Sequence, residues 1–375
     1  MIRIKLVILS CLILLGGSDY PSGSPVWQIP EKDFLGMEGV KVTHYLENSK
    51  DSLSDNKIIE LQDEHGLSIW FGRYFFKDIC ITGLCRMVRL WIFWDGTANY
   101  LGIQLDGKDP LTKSDHTPFN LQDYTRLDEI LADTVSILKD LSYEDLTVEE
   151  KVDKADKGLF EVDGYSSATL PSLKEYVVDD AVFTCYTLWH TVYGETKGYI
   201  DGLLKERITP EYIAYLINGN RNQQLFALEN IRQQSVYFSE FESRILDLIT
   251  ADDRDVAEMA ISLVTPDYLV NPEKQVPFVE LIKNVPPAMK YEIIYKMQLV
   301  NDVSPDAIIT LLDLFYAGDI SQGTLNHIFR IIKKQVVADK SIKENKPIQE
   351  RLEKLASHPD PYTSRLTKNF RENMK

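Results

Sequence analysis

The sequence has no G-x-S-x-G nucleophile elbow, no G-x-x-x-x-G-K-[ST] phosphate loop, no G-x-G-x-x-G and no H-E-x-x-H or C-x-x-C-H. These absences remove the readily recognised serine hydrolases, nucleotide-binding enzymes, zincins and c-type haem proteins, though not catalysis as such. Cysteine is scarce: Cys11, Cys80, Cys85 and Cys185 are all there is, with no second ligand pair at zinc spacing. Basic residues are outnumbered, 41 against 57 acidic ones, for a net charge of −16. Nucleic acid and anionic membrane surfaces both need a basic footprint, so neither is expected as a main partner. Long apolar runs are also missing, and no segment approaches the ~20 residues of a transmembrane helix.

What is present begins with Met1-Ile-Arg-Ile-Lys5, followed by the apolar stretch Leu6–Leu15 and the small residues Gly16-Gly17-Ser18. A basic start, a short apolar core and a small-residue exit predict a secretory signal peptide over 1–19. The mature chain is then expected outside the cytoplasm, in the periplasm or beyond it, free or tethered to the membrane. Cys11 raises the alternative of lipidation. The 375 residues suffice for two or three domains, and 44% apolar content suits a globular chain with a buried core.

Residues 20–60 read as an extended leader and first elements, with Pro21, Pro25 and Pro30 keeping its start out of helix. Leu67–Phe76 and Met87–Trp94 carry apolar residues on both faces and predict strands buried on both sides. A turn at Asp95-Gly96 leads into Tyr100–Leu105 as a hairpin. Between the first two strands, a Thr82-Gly83 turn would set Cys80 opposite Cys85 with Cα atoms ~4.5 Å apart. That separation lies at the short edge of disulfide geometry. In an exported protein the pair reads as a structural disulfide, with a metal site shared with His116 as the alternative. Asp115 and His116 lie in a polar loop that His116 is expected to help pin. Asn120–Lys139 has the apolar spacing of an amphipathic helix, including Val135, and 143–157 is a charged linker or surface helix.

Asp163-Gly-Tyr-Ser-Ser-Ala-Thr169 is a tight turn, and Ser172 with Glu175 three residues later predicts a capped helix start running on to Trp189-His190. Thr169 then sits just ahead of a helix N-terminus, where orphan amides and the helix dipole favour an anion, phosphate above all. Ser-Ser-Ala-Thr ahead of a capped helix is also ordinary loop chemistry. Trp189, Tyr193 and Tyr186 at helical spacing read as core, with stacking on a ring cofactor as the alternative. Cys185 reads as a small hydrophobe, and His190 as a hydrogen-bonded residue near a helix end.

The stretch resembles the flavinylation motif of the FMN-binding domain family, which includes the C subunit of the sodium-pumping quinone reductase and the G subunit of the Rnf complex. Asp163, Ser166, Ala168 and Thr169 fit its pattern, and Ser167 stands where the family usually has Gly. The resemblance covers roughly residues 60–195. It implies FMN held covalently through a phosphoester to Thr169, attached by an exported flavin transferase that recognises Asp163, with Ser166, Ser167 and Ala168 forming the turn that exposes the threonine. It also implies that His116 and Pro118 lie near the flavin.

After Gly194 and Gly198, strand signals vanish and apolar residues recur every three to four positions. Thr209-Pro and Ser304-Pro are helix starts with proline in the first turn. Further helices are expected at about 222–234, 238–250, 253–264, 275–284, 287–299 and 321–335, pairing into hairpins about 30–36 residues apart. The predicted organisation is an α+β domain over 61–197 (an antiparallel sheet with packed helices, FMN-binding-like by the resemblance), an all-α solenoid of HEAT-like repeats over 198–337, and a charged tail over 338–375 with a single helix and a mobile end. Beside a metal-dependent or hydrolytic enzyme, which no motif supports, two functions stay open. One is an exported electron-transfer flavoprotein whose repeats bind a redox partner protein; the other is an exported scaffold without flavin that works through the repeats.

Overall fold

A computed structural model describes residues 33–47, 49–51, 53, 55–79, 87–106, 110–146, 173–339 and 341–374. The chain forms two compact units. One comprises the described residues up to Glu64 with Gly72–Phe93 and Tyr100–Thr196; the other comprises His65–Phe71, Trp94–Asn99 and the residues from Lys197 onward.

Five strands make one antiparallel sheet in chain order: β1 (Val40–Tyr45), β2 (Lys57–Gln62), β3 (Ser68–Lys77), β4 (Val88–Asp95) and β5 (Tyr100–Leu105). β1 and β2 arise in the stretch read as leader and first elements. Their register sets Val40 opposite Gln62 and Tyr45 opposite Lys57. β1 is an edge strand whose residues are exposed or half-buried, so it carries no apolar stripe for a sequence reading to find.

The Asp95-Gly96 turn is present. The Asp95 carboxylate accepts the amides of Thr97 (2.8 Å) and Asn99 (3.0 Å), and Ala98 takes φ 64°. Gly96 is required there because a Cβ would come 1.9 Å from the Ser68 carbonyl oxygen.

α1 (Leu121–Ala132) starts with a reciprocal cap between Asn120 and Asp123 and ends seven residues before the expected Lys139. Asp133 is extended, and its carboxylate accepts the Val135 amide at 2.9 Å, so the chain turns out of the helix. Val135, expected on the buried face, is 85% exposed. α2 (Val182–Val192) also departs from expectation. Ser172 lies outside the described residues, and Glu175 sits in a turn rather than in a helix. The helix begins seven residues beyond Glu175 because Asp180 holds φ 56°, a left-handed conformation that interrupts any helix from Glu175.

α3 (Glu195–Glu206) was not among the expected helices; its buried Ile200 and Leu204 form an i, i+4 apolar pair. The helices α4 (Pro210–Leu216), α5 (Arg221–Gln233), α6 (Phe238–Leu248), α7 (Arg254–Leu263), α8 (Pro272–Glu280) and α9 (Pro287–Leu299) follow. The chain continues through α10 (Pro305–Ala317), α11 (Leu325–Ala338), α12 (Ser341–Glu344), α13 (Lys346–Ala356) and α14 (Pro361–Met374). Starts are fixed by Thr209, Asn220, Asp253, Asn271, Ser304 and Asn345, each of whose side chains accepts a first-turn amide.

Each helix tends to lie beside the one two ahead: α5 on α7, α7 on α9, α9 on α11, and α8 on α10. One apolar cluster runs from Ile213 to Leu355 through these helices. The tail expected to hold a single helix holds α12, α13 and α14. α14 reaches Met374, buries Thr363 and Thr367, and stacks Phe370 on Phe329 with ring centroids 4.2 Å apart. No helix among the described residues is long and apolar enough to cross a membrane.

Candidate functional site

Asp163, Ser166, Ser167, Ala168 and Thr169 lie outside the described residues, as do Cys80, Cys85 and Cys11. The structure describes the frame on either side of the motif. Leu146 before it and Leu173 after it are both buried. Near the first, the Tyr143 ring packs on Phe183 (5.1 Å) and Tyr186 (5.8 Å), and its hydroxyl donates to the Ile79 carbonyl at 2.8 Å. Burial, then Asp78 and Tyr186, push that phenol above its ordinary pKa, so it stays protonated as a donor.

After the motif, the chain is held by α1 and by the loop that contains His116. The Arg126 guanidinium donates to the Glu175 carbonyl and pairs with Glu129 at 3.1 Å. The loop from Thr112 to Pro118 closes through a bridge between those two residues, and Lys113 pairs with Asp123 at 3.0 Å. Its tip docks on the residue that interrupts the helix, since the Ser114 amide and hydroxyl both donate to the Asp180 carbonyl, each at 2.8 Å.

The pinning expected of His116 is therefore done by Ser114, and by Asp115, whose carboxylate accepts the Thr117 amide (3.0 Å) and hydroxyl (2.6 Å). His116 itself stands exposed at φ 68°, with its backbone amide donating to the Lys113 carbonyl at 2.9 Å. The Thr117 hydrogen bonds hold the Asp115 carboxyl below its usual range, so it is ionised beside His116 at neutral pH. The loop thus lies against residues 173–181, where the chain returns from the motif.

The polar tips of the α2 aromatics are all engaged. Tyr193, Trp189, His190 and Tyr186 meet the carbonyls of Leu131 (2.8 Å), Asp133 (2.9 Å), Leu138 (2.9 Å) and Leu141 (3.2 Å). Leu131 lies in the last turn of α1, and Asp133, Leu138 and Leu141 lie in the chain beyond it, so the four contacts fasten α2 to the end of α1 and to the residues that follow. The rings accordingly read as core and fastening, and His190 is hydrogen-bonded as expected. Cys185 is buried and free, and burial pushes its thiol up to about 12, which makes it inert. Among the described residues no group of histidine, cysteine and carboxylate side chains could hold a metal ion.

One surface was missed in the sequence. β3 and β4 are not buried on both sides: Tyr74, Phe76 and Trp91 are half-buried, and Arg89 is exposed. Successive ring contacts join Phe76 to Tyr74 (6.5 Å), Tyr74 to Trp91 (5.4 Å) and Trp91 to Phe93 (6.3 Å), and Arg89 lies 5.2 Å over Phe76. Phe34 covers the Phe93 end, with centroids 4.4 Å apart. Arg89-x-Trp91-x-Phe93 was the available signal, because an arginine in period two with the rings marks a wet face. These half-buried rings have the chemistry to stack on a planar ligand.

No family model, curated protein or solved structure matches this chain. The functional reading therefore rests on the chain's own residues.

Proposed function

We propose that the protein is an exported electron-transfer flavoprotein that carries FMN through a phosphoester from the Thr169 hydroxyl oxygen. The observation that carries the proposal is the Asp163–Thr169 stretch, with Asp163, Ser166, Ala168 and Thr169 in the order and spacing of a flavinylation motif. The flavin would supply the redox chemistry, and the protein attachment, orientation and electrostatics. Support from the described residues is indirect. The motif is bracketed by buried anchors, Leu146 and Leu173. Lys113 and Arg126 lie in the elements that hold the returning chain, where positive charge suits a phosphate. An exposed His116 stands on a loop fixed to that same segment.

The helical region is read as an α-solenoid that binds the redox partner. Polar contacts between helices two apart recur at regular separations: Lys296 to the Val264 carbonyl is 32 residues, and Lys334 to the Val300 carbonyl is 34. Such a period is what stacked helical hairpins produce.

A second reading, an exported scaffold without flavin, is favoured by Ser167. If that position takes φ above zero, Ser is strained where Gly is not. One experiment separates the two readings. The chain is co-expressed for export with a flavin transferase, then denatured, and its intact mass and visible spectrum are compared with those of Thr169→Val. The flavoprotein reading expects flavin absorbance that survives denaturation, a mass gain of one FMN less one water, and loss of both in the variant. Colourless protein of unmodified mass, from cells in which the transferase labels a control substrate, leaves the scaffold.

A further inference from the structure

β1 pairs with β2 on one side, and its other side is an open edge of the sheet. Lys41, Thr43 and Tyr45 are exposed on one face of the strand, and Val40 is 58% exposed on the other. The register decides which backbone groups that edge offers. The Leu46 amide donates to the Asn56 carbonyl at 2.9 Å, one step beyond the pair of Tyr45 with Lys57. Hydrogen-bonded and non-hydrogen-bonded pairs alternate along an antiparallel ladder, so Val40, Val42 and His44 turn their amides and carbonyls toward β2. Lys41, Thr43 and Tyr45 therefore turn theirs outward, and among the described residues no further backbone or side-chain group bonds them there. Such an edge is a template for another strand.

We propose that β1 is a homodimer interface, in which the β1 strands of two copies pair antiparallel about a two-fold axis through Thr43. Only this register pairs all the outward residues with one another: Thr43 with the partner's Thr43, and Lys41 with the partner's Tyr45, each pair exchanging both its hydrogen bonds. The side chains match in the same register. Lys41 lies beside the partner's Tyr45 ring, with the partner's Glu47 on the diagonal, while Val40 meets the partner's Leu46 on the other face. Lys41 and Glu47 are both exposed, and neither has an ion-pair partner among the described residues. The Lys41 ammonium donates to the Leu35 carbonyl at 2.8 Å and keeps further donors for a carboxylate. This charge complementarity favours a second copy over an unrelated strand, because symmetry makes the contact twice. An isologous contact of this kind closes at the dimer. The inference is independent of the flavin at Thr169.

The test is sedimentation equilibrium of the full chain up to about 500 μM, where a monomer–dimer equilibrium with Kd of about 100 μM or tighter is expected for so short a strand pair. Thr43→Pro removes an outward amide and spares the bonds of β1 to β2, so it should stay monomeric and keep the parent's circular dichroism melt. Lys41→Glu and Glu47→Lys should each weaken dimerisation by about threefold or more, and the two together should restore it, because the charge pair is then reversed. Cross-linking reads the register directly. Opposed Thr43→Cys residues have Cα atoms ~5.5 Å apart, inside the ~4.4–6.8 Å that a disulfide spans, whereas Tyr45→Cys lies roughly 14 Å from its copy. Oxidised glutathione should link Thr43→Cys chains and leave Tyr45→Cys at the parent's level. The proposal is overturned by a parent chain that stays monomeric at the highest concentration, or by a dimer that a folded Thr43→Pro retains. Failure of the reversed pair to restore association, or equal cross-linking at positions 43 and 45, overturns it equally.

Discussion

Arg73 on β3 is the most demanding charge in the sheet unit. Its side chain is 1% exposed, and every contact it makes is an acceptor: the Asp55 carbonyl at 3.0 Å, the Thr196 hydroxyl at 2.7 Å and the Asp51 carboxylate. Asp51→Asn keeps an acceptor but removes the only countercharge among these partners. Stranding a buried ion in this way costs ~3–5 kcal/mol. The Asp51 side chain retains 19% exposure and two neutral acceptors persist, so we expect a smaller cost, about 2–3 kcal/mol.

All five tryptophans, Trp27, Trp70, Trp91, Trp94 and Trp189, precede Lys197, so urea titration followed by tryptophan fluorescence reads the N-terminal part of the chain. The midpoint should fall with an unchanged slope. Burial alone would raise the Asp51 pKa, but the Arg73 hydrogen bond, with those from Ser49 and the Leu53 amide, outweighs it and holds the carboxyl below 3.8. The linked stability is present above pH 3.8 and is lost as pH falls through the lower folded value. Asp51→Asn should therefore flatten acid destabilisation in that window. Asp51→Leu with Arg73→Met should recover most of the loss, because neither partner is then left charged and alone. A single variant within about 0.5 kcal/mol of the parent, or a double variant worse than the single, would refute the reasoning.

Two further outcomes follow from the helical unit and from α2. Lys334→Met removes the ammonium that donates to the carbonyls of Val300 (2.8 Å), Leu299 (3.3 Å) and Gln298 (3.4 Å), and should cost about 1–2 kcal/mol in the melt followed at 222 nm. A change below about 0.3 kcal/mol would mean that water replaces the cap. Cys185, with its thiol held near 12, should resist a disulfide reagent at pH 8 until denaturant is added, and prompt labelling of the native chain at that cysteine would contradict its burial.

Where the sequence was legible, the signal was local. Ser304-Pro305 predicts a cap with proline in the first turn, and the Ser304 hydroxyl accepts the Ala307 amide at 3.2 Å. Asp95-Gly96 predicts its turn for the same kind of reason. The illegible parts depend on partners distant in the chain. Glu175 was given a capping role by spacing alone, yet Asp180 turns left-handed a few residues on, and Ser114, 66 residues before it, holds its carbonyl. β1 was read only as part of the first elements, without bounds, because an exposed edge strand has no buried apolar face to mark them. The candidate site was legible only as a motif. Its surroundings, Ser114 against Asp180 and four aromatic side chains against the end of α1 and the chain beyond it, are long-range hydrogen bonds that no spacing rule contains.

The helical unit shows how a period can be readable while its cause is not. The apolar spacing predicted helices near 253–264 and 287–299, and α7 and α9 lie there. Neither helix ends on glycine. Val264 and Val300 are extended caps, whereas α10 ends on Gly318 in the left-handed conformation with φ 90°. A helix that ends without such a cap leaves carbonyls bare, and here a later helix supplies the donor: Lys296 reaches Val264 at 2.9 Å and Lys334 reaches Val300 at 2.8 Å. The ammonium also opposes the negative end of the helix dipole. Lys296 bears a cost for this, since burial lowers its pKa, an effect that the nearby Glu292 charge opposes in part. Each such lysine ties a helix to the end of an earlier one, so the stacking register is set by polar contacts as well as by apolar burial. A sequence window the length of one helix contains the lysine or its carbonyl, never both.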